Sequence, residues 1–137
     1  MGLDLRTVRT PADAKRSATS SWELWSWFFM RISGLLLTIL VLVHLTIMLV
    51  ISGGIDRVNF AFVSGRWSSA FWQLWDWTIL FLGLLHGTNG IKIVINDYST
   101  TPGKRIALKS FVYTLAFILL LLGSLVILTF DPSKAIR

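Results

Sequence analysis

The sequence predicts an all-α membrane protein of three transmembrane helices with its N-terminus in the cytoplasm. Three observations carry that expectation. Charged residues are only 15% of the chain against 54% hydrophobic ones, with a mean hydropathy of +0.68, whereas an ordinary globular domain carries about 25% charged residues. Stretches without charge recur at the length of a bilayer span. The Lys and Arg residues between those stretches are unevenly shared. At 137 residues one domain is the natural count. The lack of cysteine removes disulfide frameworks, thiolate zinc sites and Cys-ligated iron–sulfur clusters, so any redox cofactor needs another ligand.

Taken in order, residues 1–21 read as a polar cytoplasmic leader. They contain Asp4 and Asp13 and show neither a cleavable signal peptide nor an acid-free transit sequence. A membrane domain is expected over 22–131. Its first helix is expected at about 28–51, because residues 32–55 hold no charge between Arg31 and Asp56. The second helix is less clean. Asp76 and Lys92 confine its charge-free centre to 77–91, about 22 Å of helix at 1.5 Å per residue, so a span over about 71–96 requires those charges to snorkel or to face protein. The third helix is expected at about 108–130, from the uncharged stretch 110–130 bounded by Lys109 and by Asp131-Pro132. Residues 132–137 then form an outer tail.

Arg6, Arg9, Lys15 and Arg16 precede the first span, and Lys104 and Arg105 lie between the second and third. The other loop holds only Arg57 and Arg66. Positive residues gather on the cytoplasmic side, which places the N-terminus inside and the C-terminus outside. The net charge of +6 reads as topology and attraction to anionic lipid, not as nucleic-acid binding. All seven tryptophans fall in two clusters, Trp22, Trp25 and Trp27 and then Trp67, Trp72, Trp75 and Trp77, as interfacial belts do.

Polar residues inside apolar helices carry whatever chemistry there is, since each is unfavourable in hydrocarbon without a partner or cavity. A membrane histidine such as His44 or His86 serves either as an interhelical hydrogen-bonding residue or as an axial ligand to haem iron. Gly83, Gly87 and Gly90 open one helix face beside His86, fit either for a flat macrocycle or for close packing of a neighbouring helix. At the cytoplasmic end, Arg31, Ser33 and Gly34 begin the first helix and Asn96, Asp97 and Tyr98 close the second. They are either interfacial anchors or the walls of a polar pocket able to hold a cofactor carboxylate and a small redox head group.

The run from Leu85-His86-Gly87 through Gly90 to Asn96-Asp97-Tyr98, with Phe29-Met30-Arg31-Ile32-Ser33-Gly34 before it, resembles the membrane-anchor D subunit, of cytochrome b type, of succinate dehydrogenase (complex II). The resemblance covers about residues 22–131. It implies that His86 is an axial ligand of haem b iron, with the second ligand from a second membrane-anchor (cytochrome b) subunit. It further implies that Arg31 contacts a haem propionate, that Tyr98 and Asp97 serve a quinone site, and that Ser33 is a candidate quinone contact. His44 departs from the single-haem pattern and is a candidate ligand of a second haem, which leaves one haem or two. An iron–sulfur subunit and a flavoprotein subunit would dock at the cytoplasmic face, and the setting would be the bilayer of a bacterial cytoplasmic (inner) membrane. No catalytic residue is expected in this chain alone. The rival expectation is a cofactor-free small membrane transporter or assembly protein that uses His44, His86 and Asp97 for proton or ion movement.

Overall fold

A computed structural model of the chain describes residues 21–51 and 53–131. The leader expected at 1–21 lies outside them apart from its last residue, as does the tail at 132–137. Helix α1 covers Ser21–Leu45 and runs on as a single π-helical turn at Thr46–Val50. A short 3-10 turn at Gly54–Arg57 leads into α2, Phe60–Trp67, after which come α3, Ala70–Tyr98, and α4, Pro102–Thr129. Among the described residues there is no strand. Three helices are long and apolar enough to cross a membrane, Leu24–Val50, Ala70–Tyr98 and Pro102–Thr129. The protein is a multi-pass, all-α membrane protein. Its compact units part between Ile32 and Ser33, within α1.

Local chemistry explains the boundaries. Helix α4 begins at Pro102, before the first residue expected from hydropathy, because proline at the start of a helix forfeits only an amide that would be unpaired there anyway. The hairpin between α3 and α4 is closed by Arg105, whose guanidinium donates to the carbonyls of Ser99 (2.9 Å) and Asn96 (3.3 Å). These carbonyls lie at the end of α3, where helical carbonyls lack partners and a cation is favoured. Helix α2 was not legible in the hydropathy. Its N-cap is Asn59, whose side chain accepts from the Phe62 amide at 3.0 Å.

Helices α3 and α4 pack through a small residue and a buried polar bond. A Cβ on Gly123 would come within 2.5 Å of a Leu80 methyl, so the Leu80 side chain lies in the space that glycine leaves on α4. Beside it, Trp77 Nε1 donates to Ser124 Oγ at 2.9 Å. The second tryptophan cluster is therefore more than a belt, since Trp77 pins two spans and Trp67 has a carboxylate partner described below.

The apolar interior is thin. Leu40, Ile95 and Ile127 are buried, while Leu35, Leu42, Phe117 and Leu128 are more than half exposed. A soluble protein could not carry so much bare apolar surface. In a membrane protein these faces meet lipid or another subunit, and only the polar groups need partners from within.

Candidate functional site

Helix α1 meets α3 through polar contacts at two levels. At the first, Ser33 Oγ lies 2.9 Å from His86 Nδ1. Ser33 is only 2% exposed, and the next residue, Gly34, lies close against the ring. A Cβ there would stand 3.2 Å from His86 Cε1. The serine–glycine pair thus seats the edge of the imidazole against α1. In the tautomer protonated at Nδ1, the ring donates to Ser33 and keeps the Nε2 lone pair. Nε2 has no protein hydrogen-bond partner among the described residues.

At the second level, His44 Nδ1 stands 3.3 Å from Asp76 Oδ1, in an alignment too poor for a hydrogen bond. Asp76 is the charge that broke the hydropathy of the second span, and it faces protein. Its Oδ2 accepts from Trp67 Nε1 at 2.8 Å, and its Oδ1 lies 3.4 Å from Arg66 Nη2. Arg66 is 8% exposed, covers the Trp72 ring at 4.3 Å and reaches Met48 Sδ. Sequence reasoning missed Arg66 and Trp67 as partners. The available signal was Asp76 itself, since an acid inside a span calls for a cation nearby.

The two levels are separate. Ser33 and His44 are eleven residues apart on α1, and Asp76 and His86 ten apart on α3, which is roughly 15 Å either way. Side chains that far apart along both helices cannot both reach one metal ion, so His44 and His86 are not two ligands of a single iron.

Other expected site residues lie elsewhere. Asp97 and Tyr98 end α3, both exposed, Tyr98 at 82%. They stand roughly 16 to 18 Å along the helix from His86. Arg31 stacks on the Trp27 ring at 4.2 Å in the N-terminal unit. Gly83, Gly87 and Gly90 have open space where a Cβ would be, so no helix among the described residues packs against them.

This arrangement fits a group held by one imidazole. A ligating histidine normally has its other ring nitrogen fixed by a hydrogen bond, which sets tautomer and orientation; Ser33 supplies that bond, and the bare glycines leave the adjoining face of α3 free. Among the described residues no three His, Asp or Glu side chains gather, whereas a haem would ask only one imidazole of this chain.

The family pattern of the succinate dehydrogenase/fumarate reductase transmembrane subunit matches residues 6–129. No curated protein matches the chain. With three apolar spans, a histidine seated by a serine in the membrane interior, and that family's pattern over nearly its whole length, the chain belongs to the transmembrane subunits of succinate dehydrogenase and fumarate reductase.

Proposed function

We propose that this subunit binds haem b and shapes the quinone site of a succinate:quinone oxidoreductase in a bacterial cytoplasmic membrane. Its N-terminus faces inward, and its partners are a second cytochrome b-type anchor, an iron–sulfur subunit and a flavoprotein subunit. The observation that carries the reading is the 2.9 Å contact between Ser33 Oγ and His86 Nδ1, which orients the imidazole and leaves Nε2 for a metal. When bound, the haem supplies a one-electron centre between the iron–sulfur subunit and the quinone pool. Everything else asked of this chain is binding and positioning.

His86 would hold the haem iron through Nε2. Ser33 fixes the ring, and its hydroxyl, which can accept from the histidine and still donate, remains a candidate quinone contact. Arg31, whose planar guanidinium can form a bidentate pair with a carboxylate, would hold a propionate. At the far end of α3, the Tyr98 hydroxyl donates to a quinone carbonyl, and Asp97 orients that hydroxyl and passes it protons from the cytoplasmic side. Arg105, bonded to the carbonyls of Asn96 and Ser99, keeps the last turn of α3 in place beneath them. His44 would ligate only a second haem at the outer level.

The test is a reduced-minus-oxidised difference spectrum of the purified complex. His86→Ala should abolish the b-type α band of a haem at that level, and full haem content in that variant overturns the assignment. Haem counted per complex settles His44, since two would assign it and one would leave it to its cluster with Asp76. Tyr98→Phe should lower quinone reduction by on the order of tenfold or more through loss of one hydrogen bond to the reacting oxygen. Unchanged rates across quinone concentrations would remove Tyr98 from the site.

A further inference from the structure

The His86 ring has a hydroxyl for its partner where many ligating histidines have a carboxylate. Ser33 Oγ lies 2.9 Å from His86 Nδ1, and Ser33 is 2% exposed, which leaves almost no surface for water or lipid to compete for the contact. The acids of α3 are remote. Asp76 stands ten residues before His86 and Asp97 eleven after it, roughly 15 to 16 Å along the helix, and Asp76 is engaged by Arg66 and Trp67. His44 shows the other arrangement between the same two helices, an imidazole with a carboxylate oxygen 3.3 Å from its Nδ1. At His86 the approach of Gly34, where a Cβ would stand 3.2 Å from Cε1, keeps the ring edge against the serine.

We infer that Ser33 sets the reduction potential of the haem held by His86, keeping it higher than a carboxylate in the same place would. This rests on the haem reading above and goes beyond it, because orientation alone would be met by any acceptor. A group that accepts from Nδ1–H pushes electron density through the ring and makes the ligating Nε2 more basic. A more basic ligand favours ferric over ferrous iron, which lowers the potential. A hydrogen bond to a carboxylate is roughly twice as strong as one to a neutral oxygen, and a carboxylate would also set a negative charge beside the metal in a medium that screens it poorly. A hydroxyl holds the same tautomer with the weaker pull and no charge. Hydrogen bonding behind the axial ligand is one of the few levers a protein has on a haem, and on this chain Ser33 is the residue in contact with His86 Nδ1. It acts here as a positioning residue, through the imidazole.

The experiment is a potentiometric titration of the whole complex at neutral and at alkaline pH, following the α band that His86→Ala removes. Ser33→Asp should favour the ferric state by on the order of tenfold once its carboxyl is ionised, which lowers the potential by about 59 mV for a one-electron couple. Ser33→Ala leaves Nδ1 without its acceptor, and the haem it retains should shift the other way by about two- to fivefold, or about 20 to 40 mV upward. Ser33→Thr keeps the hydroxyl and should stay at the parent value. A role confined to seating the ring would lower haem content in the Ala variant and leave the potential of the retained haem alone. Equal potentials for the parent, Ala and Asp proteins, or shifts of the opposite sign, overturn the inference. Full haem content in His86→Ala would instead bring down the haem reading itself, so the two failures are told apart. If no Ser33 variant retains haem, Gly34→Ala decides, since its methyl meets Cε1 at 3.2 Å and eases the ring away from an intact serine. An upward shift in that variant supports the inference, and an unchanged potential overturns it.

Discussion

Removing the Asp76 carboxylate tests the outer polar level. In Asp76→Asn the amide oxygen can still accept from Trp67 Nε1, so the change isolates the charge. Arg66 then keeps its cation with only the Trp72 face at 4.3 Å and Met48 Sδ at 3.6 Å for company. Opposite charges about 4 Å apart at an effective dielectric near 20 attract by about 4 kcal/mol. Because Arg66 is 8% and Asp76 14% exposed at the side chain, little of that is lost to solvent screening. The contact is a single long one and the ring retains about 1 kcal/mol of cation–π attraction, so the net loss should be about 2 to 3 kcal/mol. Arg66→Met alone should lose a similar amount by stranding the carboxylate. The double variant R66M/D76N removes both charges and should lie within about 1 kcal/mol of the parent, since apolar replacement of a buried pair is often neutral. The assay is SDS-induced unfolding followed by far-ultraviolet circular dichroism, assembled as a double-mutant cycle. Additivity of the two single changes within about 0.5 kcal/mol would refute the reasoning, because uncoupled residues add to that accuracy.

The glycines make two further predictions. Gly34→Val places its β-carbon about where a Cβ already comes 3.2 Å from His86 Cε1, and its methyls must push the ring off Ser33. Haem occupancy should fall by on the order of ten- to a hundredfold in affinity, as for loss of a supporting hydrogen bond to a ligating histidine, and full occupancy in the difference spectrum would show that the ring is not seated there. Gly123→Ala should be mild, under about 1 kcal/mol, because the Leu80 methyl it meets borders an open groove of about 460 Å³ between α3 and α4 and can swing aside, while Gly123→Leu should lose about 1 to 3 kcal/mol from overpacking. Equal midpoints for the two variants in the same SDS titration would contradict this.

The spans were legible because uncharged length alone decides them. Even the doubtful second helix followed once Asp76 was allowed to face protein, as it does, with Trp67 and Arg66 around it. The residues that pin Asp76 were not legible. Arg66 and Trp67 sit on α2, an eight-residue helix whose only sequence sign was an asparagine cap, and hydropathy cannot say which loop residue folds back onto which charge. Ser33 illustrates a different limit. Its polarity marked it, but its use depended on the rotation of α1 about its axis, and one residue's error in that rotation would have aimed it at lipid. The glycines near His86 left packing and an open face both open, and the empty space beside them on α3 shows only that no described element of this chain fills that face.

The histidines matter less for their number than for their spacing. Each level between α1 and α3 holds one imidazole with one partner on the opposing helix, serine for His86 and aspartate for His44. Those partners differ in kind. A neutral hydroxyl orients a ring without adding charge to the membrane interior, whereas a carboxylate brings its own requirement for a cation, which Arg66 meets. The inner level is therefore the one that can take up a metal without leaving a buried charge unbalanced, since its ring nitrogen is free and no ion pair has to break. The outer level is already balanced, with Arg66 and Asp76 opposed and His44 beside them, and a haem there would have to join a cluster that holds together without it. If His86 holds iron as proposed, a further imidazole would come from another polypeptide, because the remaining histidine is held some ten residues away along both helices. The open space beside the glycines of α3 is where the proposed reading would put that encounter.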